Sequence, residues 1–230
     1  MSLLANLKAR QAILKQQKGE TEAAAALYEE ALAKGLNSAS SMLSYSVLLL
    51  RNGEYEKAKS LLAKVQKVPG LQDAQKQQMF MNYAVACYKL GDLPKAIELM
   101  EKQHGRGGSG IIYQTLGYLY VETGNMDKAI SFNKEAVEYD DEDAIVLDNL
   151  GQAYYRVAND KETAKKYFDK ALEIKPGQID TLYFLALYDI DAGRKEEALE
   201  KLELALQGRF SPLNYANRER IQAELDKLNG

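Results

Sequence analysis

The stretch from His104 to Gly110, "HGRGGSG", carries glycines at 105, 107 and 110, the G-x-G-x-x-G spacing of a dinucleotide-binding loop. Such a loop cradles a pyrophosphate on backbone amides, and it does so between a strand and a helix. His104, the single histidine, adjoins it, and two other groups invite chemistry. These are Cys87, the single cysteine, and the acidic run Asp140 to Asp143. Each has a plainer reading. A lone histidine cannot build a site that needs two, and beside glycines it reads as a solvated turn residue. Cys87 lies among apolar neighbours in "NYAVACYKL" and reads as a small core residue. A single cysteine also excludes a disulfide framework and a multi-cysteine zinc site. The acidic run lacks the spaced ligands and glycine of a calcium loop, and it precedes a helix start, where acids favour the helix dipole. Walker-type loops, zinc spacings and nucleophile elbows do not occur in the sequence. These residues point to no catalytic site, no metal and no cofactor.

The segment before the glycines, "LPKAIELMEKQ", reads as a helix, so the strand that the fingerprint needs is missing. That helix belongs to a repeat. Glycines recur at 19, 53, 91, 124 and 193, at intervals of 34, 38, 33 and then 69 residues. Each is followed five residues later by alanine: Ala24, Ala58, Ala96, Ala129 and Ala198. The absent member is altered to Ala158–Asn159, with Ala164 in the alanine place. Before each glycine runs a helical pattern, as with Ile112, Leu116, Leu119 and Tyr120. The glycine supplies a left-handed turn. Polar caps such as Asp92 and Asn125 follow it, and Pro94 is tolerated in a first helical turn. A second helix completes a unit that cannot bury its apolar face alone.

This unit resembles the tetratricopeptide repeat. The best match is the fifth repeat, with Leu147, Leu150, Gly151, Tyr154, Ala164, Phe168, Ala171 and Pro176, and one inserted residue near Asn159. The second and third repeats match more loosely. The resemblance covers about residues 5–212. It implies an all-α solenoid of antiparallel helix pairs in a right-handed superhelix. Six repeats are expected at about 5–38, 39–76, 77–109, 110–143, 144–178 and 179–212. A capping helix over 212–229 is expected to follow, with Ser211 as its cap and Pro212 at its first position.

The sequence has no apolar run long enough to span a bilayer, and a cytoplasmic location is expected. The chain enters its first helix at once. This is either a natural start capped by Ser2 or a piece of a longer, anchored protein, and both readings stay open. The net charge of −3 is too small to imply nucleic acid. Its distribution is uneven: residues 1–104 sum to +4 and residues 105–230 to −7. The sign changes at the glycine-rich stretch, where Ser109 is expected to cap the next helix. A bend or flexible joint is expected at 105–109.

The resemblance further implies that the first helix of each pair lines a concave peptide-binding groove. Mapped onto this chain, its residues are Arg51, Gln78, Met81, Asn82, Tyr88, Lys89, Gln114, Tyr118, Asn149, Gln152, Tyr155 and Tyr183. Arg10, Glu122, Asp148, Arg156 and Phe184 lie on the same surface. Asn and Gln can bond a peptide backbone both ways, Tyr offers area with a polar tip, and Met adapts its shape. Lysine is absent from the fifth position of every repeat, which disfavours a clamp for a C-terminal carboxylate. Basic residues sit early in the groove and Glu122, Asp148, Asp180 and Asp191 late, so a bound segment is expected to turn its acidic part toward repeats one to three. The leading expectation is a non-enzymatic scaffold for an extended peptide or helix of a partner protein. The alternative is a module for self-association, a homo-oligomer, or the soluble part of an anchored protein. A nucleotide-dependent enzyme is the third reading and the weakest.

Overall fold

The computed structural model describes residues 3–230. Ser2 lies outside them. The chain is all-α and divides into two compact units, residues 1–103 and 104–230.

The first unit holds α1 (Leu3–Gln17), α2 (Thr21–Ala33), α3 (Ala39–Arg51), α4 (Tyr55–Val65), α5 (Asp73–Lys89) and nearly all of α6 (Leu93–His104). Here α1 packs on α2 and α3, and α3 on α4 and α5. Alanines Ala9, Ala12, Ala24 and Ala31 are fully enclosed, so the helices approach closely where side chains are smallest. Tyr28 fills the space behind them, stacked on Tyr45 with ring centres 4.6 Å apart. Its hydroxyl donates to Gln16 Oε1 at 2.8 Å.

The second unit begins at the last residue of α6. It holds α7 (Gly110–Glu122), α8 (Met126–Tyr139), α9 (Ala144–Gln152), a π-helical turn over Ala153–Val157, α10 (Lys161–Ile174), α11 (Ile179–Asp191), α12 (Lys195–Leu206) and α13 (Arg218–Asn229). Successive helices again pack pairwise, ending with α12 against α13.

The turns follow from the sequence. Gly19, Gly53, Gly91, Gly124 and Gly193 all have φ between +69° and +88°, the left-handed region that ends a helix cheaply only at glycine. Asn159 takes that part in the altered repeat, with φ +53°, and among the described residues no other non-glycine has positive φ. The residue inserted near it is absorbed by the π turn, in which the Ala158 amide donates to the Ala153 carbonyl. Side chains of Asp92, Asn125, Asp143 and Asp160 accept from backbone amides of their helices' first turns. Each such cap contributes roughly 1 kcal/mol.

Three local expectations need correction. Ser109 precedes α7, but its side chain makes no capping bond to the helix. His104 is not a solvated turn residue. It is half-buried at the end of α6, with its ring edge-on to Phe132 and Tyr113, and its Nε2 lies 3.3 Å from Glu135. The glycines beyond it let the chain cross the Tyr113 ring: a Cβ on Gly108 would meet that ring at 2.8 Å. Third, the last helix starts at Arg218 with Asn217 as its cap, six residues after Pro212. Residues 211–217 are irregular, because a carboxylate in α11 has claimed their backbone.

Candidate functional site

Within residues 1–103 the expected groove residues behave in two ways. Asn82 is buried, and its Nδ2 donates to Ser46 Oγ at 2.9 Å; Ser46 Oγ in turn donates to the Leu43 carbonyl. This asparagine ties α5 to α3. Gln78, Met81 and Tyr88 are half-buried, and Arg51 and Lys89 are exposed. Lys89 Nζ stands 5.9 Å from the Tyr55 ring centre and 5.7 Å from that of Tyr88.

Within residues 104–230 five of the expected residues, Glu122, Arg156, Gln152, Asp148 and Asp180, join one polar network. Glu122 on α7 pairs with Arg156 at 2.7 Å. Arg156 Nη1 donates to Gln152 Oε1 at 2.9 Å, and Gln152 Nε2 donates to Asp148 Oδ2 at 2.7 Å. Thr181 Oγ1 on α11 donates to Asp148 Oδ1 at 2.6 Å. The next residue back, Asp180, accepts from the backbone amides of Tyr215 and Ala216 at 3.2 and 2.8 Å and from Asn214 Nδ2 at 3.1 Å. A carboxylate receiving two successive amides holds the chain open there, and this displaces the start of α13 to Arg218.

Both aspartates are enclosed. Burial pushes Asp148 up to about 7, with the charge of Asp180 adding to the rise, while Thr181, Gln152 and Arg156 pull against it. Burial likewise lifts Asp180 to about 6 against the donors from Ala216, Asn214 and Tyr215. Two expected acids of the groove are thus enclosed and bonded within the fold, out of a visitor's reach. Glu122 is spent on Arg156, and Asp191 pairs with Lys161 at 2.7 Å.

Aromatic side chains complete the site. Tyr215 stacks on Phe184, with centres 5.3 Å apart, and the guanidinium carbons of Arg156 and Arg220 each lie 3.8 Å from its ring centre. Tyr155 is half-buried against Phe184 and Tyr188. A cleft of about 500 Å³ opens between Val121, Glu122, Gly124, Tyr155, Arg156, Val157 and Tyr215. It adjoins the π turn, which supplies Tyr155, Arg156 and Val157 to its lining.

Other expected residues are enclosed by the fold. Asn149 is buried and its Nδ2 donates to the Gln114 carbonyl at 2.8 Å, while Gln114 Nε2 donates to Asp143. A Cβ on Gly117 would sit 2.2 Å from the enclosed Asn133 Oδ1, so glycine makes room for that second buried amide. Tyr118 and Tyr183 are each only 5% exposed, and burial pushes the Tyr183 hydroxyl up to about 12. Sequence reasoning missed Tyr215, Thr181 and Arg220. None carries a periodic signal that would have pointed to a site.

Family models of the tetratricopeptide repeat match residues 8–114, 111–143 and 144–178. The chain belongs to the tetratricopeptide repeat family. Among sequence relatives, anaphase-promoting complex subunit 7 of Arabidopsis thaliana is 27% identical over 95 residues, 41% of this chain. The matched part is 17% of that relative's length. Among solved structures, a tetratricopeptide repeat protein from Parabacteroides merdae aligns over 98% of this chain and 84% of its own, with TM-score 0.80 and 15% identity. PilW, a type IV pilus biogenesis factor, aligns over 98% of this chain and all of its own, with TM-score 0.68 and 16% identity. At such identities the likeness is one of fold. No helix among the described residues is long and apolar enough to cross a membrane.

Proposed function

We propose that this tetratricopeptide repeat chain is a non-enzymatic interaction scaffold whose second unit receives an extended segment of a partner protein in the cleft beside Tyr155, Arg156 and Tyr215. One observation carries the placement. The chain's own residues 214–216 already lie there as a non-helical peptide, held by backbone N–H groups that donate hydrogen bonds to Asp180 and by the Tyr215 ring on Phe184. A segment entering the adjoining cleft meets the same chemistry: aromatic walls, an arginine held in place by Glu122, and little net charge. In the first unit, taken by itself, exposed Arg51 and Lys89 favour an acidic segment, and they act on encounter and orientation more than on affinity.

The test is a peptide selection. Random peptides displayed on phage are selected on the chain and measured by fluorescence polarisation. Selected peptides are expected to bind at least tenfold more weakly to Arg156→Gln and Val157→Glu variants that melt at the parent temperature. Peptides that bind both variants as well as the parent chain refute the placement. Failure to select any peptide refutes the groove reading itself.

A further inference from the structure

Between α12 and α13 the same backbone has two uses. Ser211 Oγ accepts from the Leu213 amide at 3.2 Å, and Asn214 Oδ1 accepts from the Ser211 amide at 2.6 Å. The Asn214 amide donates to the Ser211 carbonyl at 3.0 Å. These are the reciprocal bonds of a capped first helical turn, with Pro212 in the place where no amide is needed. A helix continuing from there would carry the Tyr215 and Ala216 amides to the Ser211 and Pro212 carbonyls. They turn to Asp180 instead, and α13 starts afresh under the Asn217 cap. The backbone donors are satisfied either way, and one cap replaces another.

The side chains are less evenly matched. Tyr215 lies on Phe184, and Arg156 and Arg220 both pack on its ring, two positive groups on one tyrosine. Arg220 Nη1 is enclosed and has no hydrogen-bond partner. An unpaired buried N–H of a charged group is a standing cost of the strapped arrangement. In a helix running from Pro212, Tyr215 would share a face with Arg218, Glu219 and Gln222, all of which are exposed. The segment therefore has two arrangements, one seated on α11 and one helical.

What the strap touches is the imprint of a ligand. Asp180, only 4% exposed, takes two successive backbone amides, which excludes proline at either position. Phe184 takes an aromatic ring. Ala216 is 0% exposed, so only a small side chain fits after the aromatic one. We infer that the Asp180–Phe184 face of α11 is a peptide site that the chain fills with its own residues 214–216. A partner segment with an aromatic residue followed by a small one takes their place, and α13 then extends back to Pro212. The inference goes beyond the adjoining cleft: it concerns the face under the strap, and its probe is the chain's own sequence, not a selected peptide.

That probe is a fluorescein-labelled peptide with the sequence of residues 211–217, SPLNYAN, added to the 230-residue chain and read by fluorescence polarisation. Tyr215→Ala removes the ring of the chain's own strap, and this variant should bind the peptide at least tenfold more tightly than the parent. The same peptide with alanine in place of its tyrosine should lose that gain. A second reading uses the parent chain carrying 3-fluorotyrosine. Excess peptide should move the fluorine resonance of Tyr215, identified by its absence in Tyr215→Phe, to the position of a solvent-exposed tyrosine. If Tyr215→Ala does not fold, this resonance decides alone. An unmoved resonance, or equal binding by the parent and Tyr215→Ala, makes the strap a fixed part of the fold and overturns the inference. Binding that ignores the peptide's tyrosine overturns the ligand class.

Discussion

The enclosed carboxylate of Asp148 gives the site a measurable pH signature. Its acidity is shifted from 3.8 to about 7, burial first and the charge of Asp180 second. A carboxylate whose folded-state value is raised holds a proton in the fold that the unfolded chain has already released. Between the two values the unfolded state therefore binds fewer protons, and stability falls as pH rises. The loss runs at up to about 1.4 kcal/mol per pH unit between the two values and levels off above the folded-state value, with Asp180 titrating alongside Asp148 as a pair. Asp148→Asn removes the titrating group. Like the protonated acid, the asparagine can keep both partners: its carbonyl accepts from Gln152 and its amide donates to the Thr181 hydroxyl, which accepts as well as donates. The variant should therefore be close to the parent in stability at pH 5 and more stable than it at pH 8. Urea unfolding at both pH values reads this directly, and the parent-minus-variant difference cancels the groups that do not interact with Asp148, leaving Asp148 and its coupled neighbour Asp180. Parallel curves, with the same difference at pH 5 and pH 8, would refute the reasoning that burial holds this carboxyl protonated.

Two other outcomes follow from the backbone. Asn159→Gly should leave thermal stability unchanged within a few tenths of a kcal/mol, whereas Asn159→Ala should cost about 1 kcal/mol, because alanine pays for the left-handed φ of +53°. Amides of Gly105, Arg106, Gly107 and Gly108 should exchange with deuterium much faster than those in the middle of α6 and α7; equal protection would exclude a flexible joint at 105–109.

The repeat was legible because it is written in local backbone demands. A left-handed turn wants glycine or, less well, asparagine, so Gly53 and Asn159 are readable from the chain alone. Caps such as Asn125 and Asp143 need only the next few amides. The position of a residue on a helix face is also local, so the register of the repeat puts Glu122, Asp148, Gln152 and Arg156 on one surface. Their partners were another matter. Asn82 and Asn149 sit where a ligand's backbone could be read, yet their amides bond Ser46 and the Gln114 carbonyl. The choice between a ligand and a neighbouring helix depends on interhelix distances of a few ångströms.

The inserted residue near Asn159 was visible as a break in spacing. That it would be taken up as a π turn, with the Ala158 amide on the Ala153 carbonyl, is seen only in the folded chain. Ser211 and Pro212 carry a sound local signal for a helix start, and the fold overrides it. Asp180, more than 30 residues earlier in the chain, takes the amides of Tyr215 and Ala216 and holds them out of a helix until Asn217. The sequence by itself determined the helix pairs, their turns and the surface they share. Only the tertiary structure decided which polar groups on that surface are already satisfied, because a hydrogen bond between distant residues is set by where folding brings them, not by their spacing along the chain.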